Sequence, residues 1–275
     1  MKSDFHFDEN RYRKVVDKVN SLVSSTNPSL YPTIFSCIDN TTLNGSDTME
    51  SVREFCLNTA QMKVNDIHTA SVCVYPYFVN EAKKALTNTG IGVASVAGGF
   101  PAGQIPLKLK SEEVRYVVDQ GADEVDIVIN RGALISGNDS VVFDEVSAAK
   151  EICGKNVVLK VILETGELKS PELIYYAAML VMEAGADFVK TSTGKIPVGA
   201  TTESAYAILS AISDFSKNNP RQIGYKAAGG LSSIEDALTH YYMTCEMLEN
   251  KTIDKHCFRI GTSRITNQLF KNLTF

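Results

Sequence analysis

The sequence contains no run of about 18 consecutive apolar residues, which is the length that a transmembrane helix needs. Its first ten residues, MKSDFHFDEN, lack the apolar stretch of a secretory signal. Basic residues are not in excess, because 27 Lys and Arg stand against 32 Asp and Glu, for a net charge of −5. A surface that wraps nucleic acid needs basic character. We therefore expect a cytoplasmic protein with neither a membrane nor a nucleic-acid partner.

The spacings of common metal sites are missing as well. None of the six cysteines forms a C-x-x-C pair, and the four histidines show neither H-x-x-H nor H-x-x-x-H spacing. Zinc sites and disulfide frameworks usually reveal themselves through such spacings. We expect no metal site.

What the sequence does contain is an alternation of short, β-branched apolar runs with segments of helical periodicity, which is typical of parallel βα units. The eight runs are Thr33–Ile38, Ser71–Tyr75, Gly92–Ala97, Glu124–Asn130, Val157–Leu163, Ala186–Ser192, Gln222–Ala228 and Phe258–Gly261. The clearest helical segments between them are Pro171–Ala184, Thr202–Phe215 and Ser232–Leu248. Eight units in 275 residues take about 34 residues each, which is the spacing of a (β/α)8 barrel of ~250 residues.

An open doubly wound sheet is the alternative, but it usually carries a G-x-G-x-x-G turn near its start, and no such turn is present there. No linker or low-complexity segment divides the chain. We therefore predict an α/β fold with a single (β/α)8 TIM-barrel domain over residues 1–275. Residues 1–30 form a helical extension, with an additional helix from Phe7 to Ser24.

Alternation along the predicted strands places charged residues inside this barrel. Asp126, Lys160, Lys190 and Lys226 fall on inward-facing positions, together with the thiol of Cys73. Buried charges are costly unless they are paired or have shifted pKa values. A structural ion-pair network is the alternative interpretation, but three lysines against one carboxylate would be poorly balanced. We favour a functional site.

Lys190 is the candidate nucleophile. It lies at the carboxyl end of its strand, where the active sites of such barrels are found, and Lys226 holds the corresponding place on the next strand. Two neighbouring ammonium groups repel, which lowers the pKa of one of them and makes it suitable for Schiff-base chemistry on a carbonyl. Lys160 lies deeper and supports the site by its charge, whereas Asp126 is placed to move protons.

Glycine-rich turns follow the last three predicted strands. Such turns present backbone N–H groups to an anion, and phosphate sites of these barrels lie there. The turns are Gly194-Lys195, Gly229-Gly230 and Gly261-Thr-Ser263, the last followed by Arg264. We therefore predict a phosphate site at this edge.

Six further segments stand out along the chain: GADEVDIVIN (121–130), LKVILETGEL (159–168), GADFVKTSTGK (185–195), GYKAAGG (224–230), DNTTL (39–43) and SVCVYP (71–76). Together they resemble the deoxyribose-phosphate aldolase family of class I, Schiff-base aldolases. The resemblance runs in order from about Asp39 to Arg264, and FVKTSTGK is its most specific part.

This resemblance implies reversible cleavage of 2-deoxy-D-ribose 5-phosphate to D-glyceraldehyde 3-phosphate and acetaldehyde, in deoxyribonucleotide catabolism, by a homodimer that needs neither metal nor cofactor. Lys190 matches the Schiff-base lysine, Lys226 the lysine that lowers its pKa, and Asp126 the proton-relay aspartate. Further matches are the sugar-binding residues Asp39, Thr41, Cys73 and Lys160, and Thr193, Gly194, Lys195, Gly229, Gly230, Gly261 and Ser263 for the substrate hydroxyls and phosphate.

Three positions depart from the family pattern. Ala227 replaces a common proline, Arg264 stands where a second serine is common, and the chain ends at Phe275 instead of a tyrosine thought to assist proton transfer. Two alternatives to the predicted activity remain: another Schiff-base aldolase acting on a phosphorylated sugar, and a non-catalytic barrel that binds or scaffolds. For Glu164 we favour a structural ion pair over a second acid–base role.

Overall fold

The computed structural model describes residues 5–249 and 253–274. Eight parallel strands close into a barrel in which every strand pairs with its sequence neighbours and the last pairs with the first. The strands are β1 Ile38–Thr41, β2 Ser71–Val74, β3 Gly92–Ala97, β4 Glu124–Val128, β5 Val158–Ile162, β6 Phe188–Lys190, β7 Gly224–Ala228 and β8 Phe258–Thr262. The predicted (β/α)8 barrel is confirmed. Phe275 and the first four residues of the predicted N-terminal extension lie outside the described residues.

Helices surround the barrel and connect its strands. They are α1 Glu9–Ser24, α2 Tyr31–Ser36, α3 Met49–Gln61, α4 Val79–Ala85, α5 Leu107–Asp119, α6 Arg131–Ile135, α7 Asp139–Cys153, α8 Thr165–Leu168, α9 Pro171–Glu183, α10 Thr202–Asn218, α11 Ile234–Leu248 and α12 Ile265–Thr274. Among the described residues, none of these helices is long and apolar enough to cross a membrane. The additional N-terminal helix is present as α1, which packs on α11 and begins after Asp8, whose side chain accepts the Arg11 N–H.

The prediction for the first strand was wrong. The run Thr33–Ile38 has a strand-like composition, but most of it belongs to helix α2, which has Pro32 in its first turn. Proline is tolerated there because the first N–H groups of a helix have no partner within it. Ile34 and Phe35 are buried, and Phe35 stacks on Phe270 of α12. Tertiary packing of the helix thus outweighs the β propensity of the run. The true first strand begins at Ile38.

The other predicted strands are in place, with ends that differ by up to two residues. Alternation along them separates two environments, because successive side chains point to opposite faces. On β2, Val72 and Val74 join the apolar core between barrel and helices, whereas Cys73 faces inward beside Ala94 and Val96. The main core therefore surrounds the barrel, and the interior is free to carry polar groups.

The amino-terminal end of the barrel interior is closed by large side chains. Phe188 fills the space above Gly224, where a Cβ atom would lie only 2.1 Å from the Phe188 ring, so β7 requires glycine at this point. Arg259 lies over the Phe188 ring and forms an ion pair with Glu124. All three side chains are buried. We call Phe188, Arg259 and Glu124 the barrel floor.

Candidate active site

Seven charged side chains lie in the barrel interior. Two of them, Glu124 and Arg259, belong to the barrel floor, and the other five lie between the floor and the carboxyl end. Asp126 is central: its Oδ2 accepts hydrogen bonds from Lys190 Nζ at 2.7 Å and from Lys226 Nζ at 2.8 Å, and its Oδ1 accepts one from Lys160 Nζ at 2.9 Å. Asp39 accepts from Lys226 Nζ at 2.5 Å and from Arg259 at 2.5 Å. We call these residues the interior charge cluster; its members are Asp39, Glu124, Asp126, Lys160, Lys190, Lys226 and Arg259.

The charges of this cluster balance only when one lysine is neutral, because four basic groups face three carboxylates. Lys190 is the member suited to lose its proton. Burial lowers the pKa of Lys190, and the ammonium of Lys226 lowers it further, against the raising effect of Asp126. A lowered pKa increases the fraction of neutral amine at neutral pH, and the neutral amine is the nucleophile.

The neighbouring groups are held in their charged states. Burial alone would lower the pKa of Lys226, but the carboxylates of Asp126 and Asp39 outweigh it and raise the pKa. Burial likewise works against the charged form of Asp126, yet Lys160, Lys190 and Lys226 together hold its pKa well below the usual range. The cluster therefore combines one amine of lowered pKa with a fixed ammonium and a fixed carboxylate in direct contact.

Sequence reasoning counted only one carboxylate in the barrel interior: it missed Glu124 and Arg259 and placed Asp39 at the sugar end of the site. Glu124 precedes Asp126 by two residues on β4 and so shares its inward face, a signal that alternation offers. Arg259 alternates in the same way with the outward-facing Phe258 and Ile260 on β8. Asp39, expected at the sugar end, was not placed beside Lys226 because the first strand was predicted too early in the chain.

A cavity of about 520 Å³ opens at the carboxyl ends of β1 and β6–β8, and Lys190 lies at its inner wall. All the residues predicted to hold the phosphate line it, together with Thr41, Thr193 and Arg264. Sequence reasoning did not single out the other lining residues, which are Thr42, Leu43, Asn44, Phe55, Ala228, Leu231 and Thr262. Three of these seven, Thr42, Leu43 and Asn44, come from the loop after β1, the strand that was predicted too early in the chain.

Five of the candidate site residues do not line this cavity. Asp39, Lys160, Lys226 and Asp126 are fully buried behind Lys190, within the interior charge cluster. Cys73 is fully buried as well, in the small apolar group on β2 and β3. Burial, with a contribution from Asp126, raises the pKa of the Cys73 thiol to about 11, so this side chain is a neutral neighbour of the cluster.

Close packing between loops shapes the cavity wall. The β6–α10 loop, residues 191–201, meets the turn after β7 so closely that a Cβ atom on Gly199 would lie 2.1 Å from the Gly229 carbonyl oxygen. Gly229 and Gly230 adopt left-handed backbone angles, with φ of 83° and 79°, which glycine accepts without strain. Lys195 Nζ donates to the carbonyl of Leu43, which joins this loop to the one after β1.

The site consists of a buried lysine of lowered pKa inside the barrel, beside a cavity walled by glycine-rich turns. These features define a lysine-centred (β/α)8-barrel protein, and comparison with known proteins identifies its family. The family model described as "DeoC/LacD family aldolase" matches residues 33–240. The chain belongs to this aldolase family.

Its similarity extends to named relatives. Human deoxyribose-phosphate aldolase is 41% identical over 249 residues, which cover 86% of this chain and 78% of the human protein. The bovine deoxyribose-phosphate aldolase is also 41% identical and covers 86% of this chain and 80% of its own length. The tetrameric deoxyribose phosphate aldolase structure from Aeropyrum pernix is 26% identical, with a TM-score of 0.70 over 95% of this chain and 97% of that one.

Proposed function

We propose that this protein is a class I aldolase that reversibly cleaves 2-deoxy-D-ribose 5-phosphate to D-glyceraldehyde 3-phosphate and acetaldehyde. The observation that carries the proposal is Lys190, whose amine has a lowered pKa and faces the 520 Å³ cavity while Asp126 binds it from behind. The relatives named above support the same substrate. We place the reaction in the cytoplasm, in deoxyribonucleotide catabolism.

The first step joins the substrate to Lys190. The neutral amine attacks C1 of the open-chain sugar, the carbinolamine loses water, and a protonated imine remains. Asp126 contacts Lys190 and Lys226 through one oxygen atom, which suits it to exchange protons with the carbinolamine through water. Lys226 keeps the local field positive and so favours the neutral form of Lys190 before attack.

The second step breaks the C2–C3 bond. The C3 hydroxyl loses its proton to the relay formed by Asp126 and water, its electrons form the aldehyde of glyceraldehyde 3-phosphate, and the C2–C3 electron pair moves into the imine to give an enamine. Protonation of the enamine carbon and hydrolysis of the resulting imine release acetaldehyde and restore the free amine. The protonated imine is the electron acceptor, so no metal or cofactor takes part in this proposed sequence.

The cavity wall fits the other end of the substrate. Gly194, Gly229 and Gly230, in the turns after β6 and β7, and Gly261, near the end of β8, line the cavity, and Lys195 and Arg264 add positive charge to its wall. Such a lining matches a phosphate dianion. Thr41 and Ser263 offer hydroxyl groups for the sugar and the phosphate, whereas the Thr193 hydroxyl donates to Glu164. Arg264 thus supplies a cation where family members commonly have serine.

The decisive experiment traps the imine. We would incubate the protein with acetaldehyde and borohydride and locate any ethyl adduct by intact and peptide mass spectrometry, in the wild type, in Lys190→Ala and in Lys195→Ala. The second variant is the matched control, because Lys195 also lines the cavity but lies away from the interior charge cluster. We expect an adduct on Lys190 in the wild type and in Lys195→Ala, and none in Lys190→Ala.

Other outcomes would overturn parts of the proposal. An adduct on Lys160 or Lys226 would assign a different nucleophile. A folded wild-type protein that forms no adduct would favour the non-catalytic barrel. Cleavage of 2-deoxy-D-ribose 5-phosphate without release of acetaldehyde would point to a different aldolase reaction.

We also propose that two copies associate. Exposed apolar side chains lie on the adjacent helices α5, α6 and α7, namely Leu109, Tyr116, Ile135 and Phe143. Apolar surface of this kind favours self-association. Light scattering coupled to size exclusion measures the mass directly, and a monomer at micromolar concentration would contradict the proposal.

A further inference from the structure

Glu164, at the end of β5, adopts a backbone conformation that its residue type does not favour. Its φ and ψ are 57° and 60°, in the left-handed region, where a residue with a Cβ atom loses roughly 1 kcal/mol. Its side chain is fully buried, and a buried carboxylate is destabilising unless it is paired. Both features indicate that the contacts of this carboxylate matter to the molecule.

Those contacts reach the wall of the cavity. Glu164 Oε1 accepts the backbone N–H of Thr193 at 3.1 Å, and Oε2 accepts the Thr193 hydroxyl at 2.5 Å. The Thr193 hydroxyl oxygen in turn accepts the backbone N–H of Lys195 at 3.0 Å. One carboxylate therefore fixes both ends of the three-residue segment Thr193-Gly194-Lys195, all of which lines the cavity.

The carboxylate is itself anchored from the opposite side. Arg131, at the start of α6, donates to Glu164 Oε2 at 3.1 Å, and its Nε lies 2.9 Å from Glu167. The Arg131 side chain is only 12% exposed, whereas that of Glu167 is 44% exposed. The connection thus runs from the end of β4 through β5 to the loop after β6, along the rim of the barrel.

A second contact holds the far part of the same loop. Gly166 packs beneath Val198, so closely that a Cβ atom on Gly166 would lie 2.6 Å from the Val198 carbonyl oxygen. The loop is therefore held at Thr193 and at Val198, and Gly194 and Lys195 lie between these two points. Gly194 has a φ of 75°, and because glycine has no Cβ atom its backbone could also adopt other conformations at little cost. The geometry at Gly194 therefore depends on the contacts on either side of it.

We infer that Glu164 is a positioning residue for the phosphate end of the substrate: acting through Thr193, it holds the Gly194 N–H and the Lys195 ammonium in the geometry that receives the dianion. This inference rests on the proposed function and deepens it. Glu164 is not in contact with Lys190 Nζ, whose hydrogen bond goes to Asp126. Its removal should therefore impair recognition of the phosphate and leave imine formation intact.

The test compares substrates with and without the phosphate. Glu164→Gln retains the shape of the side chain but replaces one acceptor oxygen by an NH2 group, which is a donor. The glutamine side chain therefore cannot accept all the hydrogen bonds that Glu164 accepts from Thr193 and Arg131. We expect kcat/KM for 2-deoxy-D-ribose 5-phosphate to fall ~10-fold or more, mainly through KM, which corresponds to the loss of one charge-assisted hydrogen bond. For unphosphorylated 2-deoxy-D-ribose, and for borohydride trapping of acetaldehyde on Lys190, we expect changes below about two-fold.

Two further variants keep the test informative. Glu167→Gln removes the exposed partner of Arg131 and spares Thr193, so we expect both substrates to behave as in the wild type. Thr193→Val removes the hydroxyl that links Glu164 to Lys195, and it should reproduce the selective loss if Glu164→Gln does not fold.

Equal losses with both substrates would reduce Glu164 to a structural role, and unchanged kinetics would overturn the inference. Failure of the proposed function would look different, because the wild type itself would neither trap acetaldehyde nor cleave the sugar phosphate.

Discussion

The two ends of the barrel use the same local device for different purposes. At the amino-terminal end, Asp187 accepts the backbone N–H of Leu159 at 2.8 Å and pairs with Lys150 at 2.7 Å. At the carboxyl end, Glu164 accepts a backbone N–H from Thr193 and pairs with Arg131. Each carboxylate thus joins neighbouring βα units through one main-chain contact and one cation.

What differs is what each contact holds in place. Asp187 fixes the start of β5, at the end of the barrel opposite the 520 Å³ cavity, and Asp123 repeats the arrangement with Val93 and Lys83 one pair of units earlier. Glu164 fixes a loop that lines the cavity. In barrels of this kind, residues of the amino-terminal end serve stability, whereas those of the carboxyl end serve binding and catalysis. The comparison predicts that changes at the two ends separate stability from activity.

The largest effect is expected inside the barrel, next to the catalytic end. Asp126→Asn removes the carboxylate that contacts three lysines, so the proton relay is lost and two carboxylates face four basic groups. We expect kcat/KM for 2-deoxy-D-ribose 5-phosphate to fall by about 10³-fold, within the usual contribution of general acid–base catalysis. Steady-state kinetics measures the loss, and circular dichroism shows whether the variant is folded. A folded variant with near-wild-type activity would remove Asp126 from the mechanism.

The amino-terminal end should give the reverse result. Asp187→Ala leaves the Leu159 N–H and Lys150 without their partner, and we expect a loss of about 1–3 kcal/mol in the free energy of unfolding, with unchanged kcat/KM. Urea unfolding measures the first quantity. The matched control is Glu112→Ala, because Glu112 is exposed on α5 and pairs with Lys108 at the surface, where ion pairs contribute little. A large loss of activity in Asp187→Ala would break the proposed separation of the two ends.

The smallest expected effect is a loss of stability at acidic pH, through a buried histidine in the helical layer outside the barrel. Burial lowers the pKa of His240 to about 4, and its Nδ1 lies 3.0 Å from the hydroxyl of Tyr225 on the outward face of β7. Because the folded protein keeps this imidazole neutral, its contribution to stability is present above the ordinary pKa near 6.5 and is lost as the pH falls towards 4. Between pH 7.5 and 5.5 we expect this residue alone to remove about 1 kcal/mol from the free energy of unfolding.

Urea unfolding of His240→Gln at both pH values tests this expectation. The variant should lose less stability on acidification than the wild type does, and His256→Gln, at an exposed position, should behave as the wild type. An equal pH dependence in all three proteins would contradict the role of His240.

Most of the fold followed from periodicity, and the reasons for the failures are physical. Seven strands lie where alternating apolar runs predict them, since the outward face of each strand packs against the helices and needs apolar residues. The strand that was missed, β1, is four residues long and reads Ile-Asp-Asn-Thr, which is a mostly polar stretch. Its inward-facing Asp39 accepts hydrogen bonds from Lys226 and Arg259, far along the chain. No local pattern predicts a strand there, because its stability comes from tertiary contacts.

The candidate site likewise contains residues that a local pattern predicts and contacts that no local pattern predicts. Alternation placed Asp126, Lys160, Lys190 and Lys226 in the interior, since a strand's inward face depends only on counting by twos. The contact between Glu164 and Thr193 joins two separate loops through a left-handed backbone turn at a residue that is not glycine. Such a turn leaves no signature in composition or spacing. Interactions within a strand could therefore be predicted, whereas interactions between loops required the structure.

The barrel floor has a consequence for the order of events in the proposed reaction. Among the described residues, Phe188, Arg259 and Glu124 close the amino-terminal end of the barrel interior, and the 520 Å³ cavity at the carboxyl end leads from Lys190 to solvent. Both fragments must leave past the glycine-rich turns. The phosphorylated fragment occupies the mouth, while the two-carbon fragment is still bonded to Lys190 at the inner wall. Departure is therefore sequential: glyceraldehyde 3-phosphate leaves first, and acetaldehyde follows only after water has entered the emptied mouth and released it.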